Sequence, residues 1–202
     1  LLRMGTPIRF RQSVGVLLRG GKGAVRSAAV KTSQGVQEPL ASAAGELTGD
    51  QNLDLVVGNN GARGLQLLVG DGKGGFRPGA ELHPAAPCFG PTLADLNGDG
   101  RLDVVCTSTN GALTLSYWLN RGDGEFSGAH PLACPGGANA LCAADMAHDG
   151  VPDLCVAPGA QSPILVCLGR RPRTRAGAPS FRLASFPCPP GLGAVAGWAD
   201  HA

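Results

Sequence analysis

Asp95, Asn97, Asp99 and Asp103 place four oxygen-bearing side chains at alternating positions of one short run, ADLNGDGRLDVV at 94–105. Oxygens at loop positions 1, 3, 5 and 9 suit a hard cation, because calcium takes six to eight oxygen ligands in flexible geometry. Gly100, at position 6, permits the sharp reversal such a loop needs, and Arg101 at position 7 offers its backbone carbonyl. Three carboxylates offset a divalent charge, and a water completes the shell. The run is not an EF-hand, which demands a bidentate Glu at position 12 between two helices; position 12 here is Cys106, and the flanks read as β. The competing reading is that the carboxylates only cap turns by accepting backbone N–H groups.

The motif has siblings. GELTGDQNLDLVVG starts its acidic stretch at Glu46, and ADMAHDGVPDLCVAP starts at Asp145. A further start at Asp200 in WADHA has no continuation in the chain, and the successive spacings are 49, 50 and 55 residues. The first copy offers Glu46, Thr48, Asp50, Asn52 and Asp54, with Gln51 in place of the glycine. The third offers Asp145, Asp149, the carbonyl of Val151, and Asp153, but Ala147 brings no oxygen at position 3. These two are expected to be weaker calcium sites than 95–103.

A period near 50 points to repeated supersecondary units of the propeller kind. A second landmark recurs, an apolar strand running into a glycine-rich turn and then an aromatic or branched residue that opens another strand: LLVGDGKGGF ending at Phe76, YWLNRGDGEF ending at Phe126, and a weaker VLLRGGKGAV ending at Val25. Gly and Asp supply the positive-φ positions that tight hairpins need. The strands alternate with period two. Leu113, Leu115, Tyr117 and Leu119 fall on one face and Thr114, Ser116 and Trp118 on the other, while Leu65, Leu67 and Val69 group likewise. LDVVC and PDLCV are almost wholly apolar, as strands covered on both faces are. No segment has helical periodicity.

The expected unit is therefore four antiparallel strands: one before the acidic loop, one after it, and a hairpin beyond. Stacking such blades around an axis buries both faces of each sheet. The predicted fold class is an all-β propeller of four-stranded antiparallel blades, present as an incomplete ring. Residues 1–38 read as the outer strands of a preceding blade, 39–87 as a blade with a weak acidic loop and 88–136 as the blade with the strongest. Residues 137–190 read as a blade with a degenerate loop and a basic insertion, and 191–202 as the start of another. The chain is expected to be part of a longer polypeptide.

Composition agrees with a turn-rich β protein. Gly (32) and Pro (16) make up about a quarter of 202 residues without a collagen period, and a net charge of +2 argues against a nucleic-acid binder. No apolar window is long enough to span a bilayer as a helix. The seven cysteines include no CxxC pair, which disfavours a zinc cluster. Cys106, Cys155 and Cys167 lie in apolar runs and read as buried thiols, whereas Cys88, Cys134 and Cys188 fall in loops and are the disulfide candidates.

These residues resemble the FG-GAP (VCBS) repeats of integrin alpha-subunit propellers. Phe89-Gly90 precedes the loop at Asp95, Ala157-Pro158 follows the loop at Asp145, and NRGDGEF looks like a hairpin common in VCBS repeats. The resemblance covers roughly 40–200 and implies a calcium-bearing β-propeller, secreted or on the outer face of a membrane. The expected function is a non-catalytic, calcium-stabilised extracellular scaffold that binds a protein in adhesion, or a glycan, on one rim. The alternative is an accessory or catalytic propeller of a secreted hydrolase or lyase.

Other tempting residues have plainer explanations. Arg121-Gly122-Asp123 falls where the repeat puts a hairpin turn, and GRRPRTRAG at 169–177 reads as a solvated insertion. The four histidines lack metal or nucleophile spacing, and no GxSxG or phosphate loop occurs. Catalytic carboxylates need occur only once, so acidic residues in fixed register in every repeat argue for structure.

Overall fold

A computed structural model describes residues 14–19, 25–30, 39–59, 64–84, 88–108, 114–133, 140–157, 164–170, 172 and 178–186. Among these residues the chain is all-β, with no helix. β1 (Val14–Arg19) and β2 (Val25–Val30) form an antiparallel pair. A four-stranded sheet follows, in the order β3 (Pro39–Gly45), β4 (Asp54–Asn59), β5 (Leu65–Gly70), β6 (Phe76–Leu82). The second sheet contains β7 (Cys88–Ala94), β8 (Asp103–Ser108) and β9 (Thr114–Trp118). A small hairpin of β10 (Asn120–Gly122) and β11 (Glu125–Phe126) then intervenes before β12 (His130–Ala133) completes that sheet at its β9 edge. The third sheet runs β13 (Ala140–Ala144), β14 (Asp153–Ala157), β15 (Ile164–Arg170), β16 (Ser180–Phe186). All pairings are antiparallel, and each sheet is a meander in chain order.

Period-two alternation explains how the sheets stack. On β9, Trp118 packs toward the first sheet, in a core with Leu47, Val56, Leu65, Leu67, Val69 and Val104. Leu115 and Tyr117, one residue out of phase, pack toward the third sheet with Val105, Leu154, Val156 and Leu165. Adjacent Val104 and Val105 divide in the same way, and both are fully buried. The second sheet is thus apolar on both faces because a neighbour covers each. Burying a Leu or Val side chain contributes about 1.5–3 kcal/mol relative to leaving it exposed, so the two inter-sheet cores dominate the stability. The first sheet also has a smaller cluster on its opposite face, where Val57 and Leu68 are buried with Leu55 and Phe76 against them.

The first strands of the three sheets lie side by side, with β7 packed against both β3 and β13. Gly45, at the end of β3, leaves the space that Leu93 and Leu102 of the second unit fill; a Cβ there would stand 2.7 Å from a methyl of each. A Thr92 hydroxyl donates to the Leu141 carbonyl, tying β7 to β13.

Three sequence expectations need correction. Phe76 opens the fourth strand of its sheet, but Phe126 closes the short β11, and the fourth strand of the second sheet starts only at His130. The cause is local: Ser127 takes the Leu119 carbonyl with its N–H and the Leu119 N–H with its hydroxyl, cutting off the 120–126 hairpin. Cys88 is not a loop residue. It is the first residue of β7, paired with Ser108, fully buried in the core beside Cys106. Cys155, expected to be buried, is half-buried, while Cys106 and Cys167 are buried. Cys134 and Cys188, Leu113, most of the 169–177 insertion and the Asp200 start lie outside the described residues.

Candidate functional site

The acidic loops join the first two strands of each sheet: 46–54 between β3 and β4, 95–103 between β7 and β8, 145–153 between β13 and β14. All three share one backbone course, with left-handed residues at positions 4 and 6. These are Gly49 and Gln51, Gly98 and Gly100, and His148 and Gly150. Glycine adopts this region at no steric cost, whereas Gln51 and His148 carry a Cβ into it.

Asp95 fixes the central loop. One of its oxygens accepts the N–H groups of Gly98 (2.8 Å) and Asp99 (3.0 Å), and the other accepts that of Gly100 (2.8 Å). Asn97, itself buried, accepts the Asp99 N–H and donates its amide to the Asp99 carboxylate at 3.0 Å. The other Asp99 oxygen accepts the Arg101 N–H, and the Arg101 guanidinium folds back onto the same carboxylate. Arg101 Nε also donates to the Asn120 carbonyl at 3.0 Å. The cation nearest these oxygens in the fold is therefore the loop's own position 7 side chain.

Position 9 behaves differently from the rest. Asp54, Asp103 and Asp153 each open a strand and are wholly inaccessible to solvent. In all three, Oδ2 accepts the N–H of the position 2 residue: Leu47, Leu96 and Met146. Oδ1 accepts an N–H just beyond or near the end of the third strand: Gly70, Asn120 and Gly169. One carboxylate thus joins the start of the loop to the following hairpin in every unit. Burial, with the negative charges of Asp99 and Asp95 adding to it, pushes the Asp103 carboxyl up to about 7, despite its two N–H donors.

The outer loops repeat this capping with fewer contacts. Glu46 accepts the N–H groups of Thr48 and Gly49, Asp50 accepts that of Asn52, and the Thr48 hydroxyl donates to Asp54. The Asn52 N–H holds the Asp50 carboxyl below its ordinary value. In the third loop Asp145 accepts from Asp149 and Gly150, Asp149 accepts from Val151, and Asp153 also takes Ala147. The Gly150 N–H is the main cause of a lowered Asp145 carboxyl. His148 is exposed.

Every candidate ligand therefore falls in one of three equivalent turns, and in each turn the carboxylates face backbone N–H groups. Among the described residues, no group of three or more His, Cys, Asp or Glu side chains is gathered closely enough to hold a metal ion. In type, the 95–103 set still fits a hard cation: three carboxylates, an amide oxygen and the Arg101 carbonyl, with lone pairs remaining on carboxylate oxygens that accept one N–H each.

Sequence reasoning missed Asn120. Its side-chain amide donates to the carbonyls of Leu47 (3.0 Å) and Leu102 (3.1 Å), so it joins two units. A signal existed: YWLN carries Asn where LLVG and VCLG carry Gly. Gly70 and Gly169 lie so close to the Leu53 and Pro152 carbonyls that a Cβ would stand within 2.1 and 2.4 Å of those oxygens. Asp71 was also missed. It shapes the β5–β6 turn by accepting the N–H groups of Lys73 and Gly75, both at 2.8 Å.

No helix among the described residues is long and apolar enough to cross a bilayer. Comparison with curated proteins gives no match. The FG-GAP-like repeat family model matches twice, at 46–106 and 95–156. Each match starts at position 1 of one acidic loop and runs past the next into the strand beyond it, so each takes in two successive loops and parts of two sheets. Together the matches cover more than half of the 202 residues, and the chain belongs to the FG-GAP-like repeat family.

Proposed function

We propose that this chain is part of a calcium-stabilised, non-catalytic β-propeller that acts outside the cell as a binding scaffold for a protein or glycan. FG-GAP repeats build propeller-type binding domains and are typical of extracellular proteins, which supports the class of function. The observation that carries the reading is the use of the carboxylates. They recur in the same register in three sheets and are engaged with the turn backbone, so they serve the wall of the fold rather than a reaction. The rim that carries the acidic loops also carries the β5–β6 turn and the β10–β11 hairpin, with Asp71, Lys73, Arg121 and Glu125 exposed. These turns offer a partner a charged, variable surface on a rigid frame.

Calcium would be held by Asp95, Asn97, Asp99, Asp103 and the Arg101 carbonyl, and it would compete with the Arg101 guanidinium for Asp99. Bound only by the folded loop, it stabilises by mass action. The test is a melting curve in calcium against one in chelator. Calcium is expected to raise the melting temperature, and Asp99→Ala to remove most of that rise. Superimposable wild-type curves would overturn the calcium reading while leaving the scaffold intact.

A further inference from the structure

Cys142 and Cys155 face one another across the third sheet. They are a direct register pair of β13 and β14, flanked by Leu141 with Val156 and Ala143 with Leu154. Directly opposed residues of an antiparallel pair put their side chains on one face, with Cα atoms about 4.5 or 5.5 Å apart. A disulfide spans Cα separations of about 4.4–6.8 Å, so the backbone is already in position for one. Burial first, and then the neighbouring Cys142, push the Cys155 thiol up to about 11. Both residues are half-buried, unlike Cys88, Cys106 and Cys167. Their face of the sheet is opposite the core that holds Leu154, Val156 and Cys167.

We propose that Cys142 and Cys155 form a redox-modifiable pair that closes into a cross-strand disulfide on meeting a disulfide oxidant such as oxidised glutathione. One cysteine, as thiolate, attacks the oxidant's sulfur–sulfur bond, giving a mixed disulfide and releasing one glutathione thiolate. The other cysteine, having lost its proton to solvent, attacks the protein sulfur of that mixed disulfide and expels the second glutathione. Two thiols are oxidised, one external disulfide is reduced to two thiols, and the released protons end on the glutathione. The bond clamps the strands on either side of the 145–153 loop, the copy in which Ala147 replaces an oxygen ligand. A covalent tie thus secures the turn least suited to an ion. The pair Cys88 and Cys106 provides an internal control. Their thiols also influence each other, but both are sealed in the inter-sheet core, beyond reach of an oxidant unless the sheets open.

The experiment is to incubate the native, reduced chain with oxidised glutathione, then unfold, alkylate and map peptides by mass spectrometry. The expected result is a peptide joined through Cys142 and Cys155, with Cys88 and Cys106 alkylated. The reducing agent is then expected to lower the melting temperature by roughly 5–10 °C. Cys155→Ser should show neither the linked peptide nor the shift. Alkylation of both Cys142 and Cys155 after oxidation, or their linkage to other cysteines, overturns the proposal. Peptide mapping of the wild type decides this even if the variant fails to fold.

Discussion

The side-chain amide of Asn120 donates to the backbone carbonyl of Leu47 at 3.0 Å, across 73 residues of chain. Leu47 is position 2 of the first acidic loop, and its N–H is held by Asp54. Asn120 in turn gives its own N–H to Asp103 and its second amide bond to the Leu102 carbonyl. The two position 9 aspartates are therefore linked through a single asparagine, and one blade's turn is registered against the next.

Replacing Asn120 by Leu, near-equal in size, leaves the carbonyls of Leu47 and Leu102 without that donor in a buried setting. A loss of about 2 kcal/mol is expected, since an unsatisfied buried acceptor costs about 1–3 kcal/mol. Urea unfolding of the variant against wild type measures it through the shift in midpoint. A change under about 0.5 kcal/mol would mean that water takes the amide's place.

Gln51 occupies a left-handed position, φ +66°, where the other two loops have glycine. Gln51→Gly is expected to stabilise the chain by about 0.5–1 kcal/mol. The relief of a strained backbone, worth about 1–2 kcal/mol, outweighs the entropy glycine loses on folding. Differential scanning calorimetry should show a higher melting temperature. His148→Gly, at position 4 with φ +54°, should act in the same direction.

Asp71 is exposed, and the N–H groups of Lys73 and Gly75 hold its carboxyl below the usual value of 3.8. A depressed folded value means that its contribution is present above the unfolded value and is lost as pH falls through the folded one. The window lies below pH 3.8. An NMR titration should find the carboxyl midpoint under 3.8, with the Lys73 and Gly75 amide shifts following it. Asp71→Asn should abolish that movement.

Arg101 holds Asp99 through its guanidinium, while its carbonyl belongs to the backbone and survives substitution. Arg101→Ala is therefore expected to tighten calcium binding at 95–103, by roughly two- to fivefold, as an exposed ion pair is worth about 0.2–1 kcal/mol. Titration calorimetry on the two proteins compares the constants. Weaker binding in the variant would show that the arginine serves the loop's shape more than it competes with the ion.

The β framework was legible because its signals are local. Alternation in ALTLSYWLN separates Trp118 from Leu115 and Tyr117, and these residues do pack into different inter-sheet cores. Glycine-rich turns at fixed distances from the acidic runs marked the strand ends. The division of labour within each loop was not legible. Asp95, Asp99 and Asp103 look alike in sequence, yet Asp103 alone opens a strand and is wholly buried, while the others cap a turn. One of its amide partners, Asn120, lies outside the loop and 17 residues further on, which spacing within the loop does not report. The β10–β11 hairpin itself was legible in NRGDGEF, but its separation from the second sheet was not. Ser127 sets it apart through its two bonds to Leu119, while Asn120 at its start reaches Leu47 in the first acidic loop.

Because the aspartate that opens each second strand is committed to amides on both sides, the tie between a turn and its hairpin does not rest on the oxygen at position 3. The third copy lacks an oxygen at position 3, where Ala147 stands, and still keeps the left-handed positions and both amide bonds of Asp153. The outline of these turns and their complement of oxygen atoms are thereby separable traits, each open to change without the other.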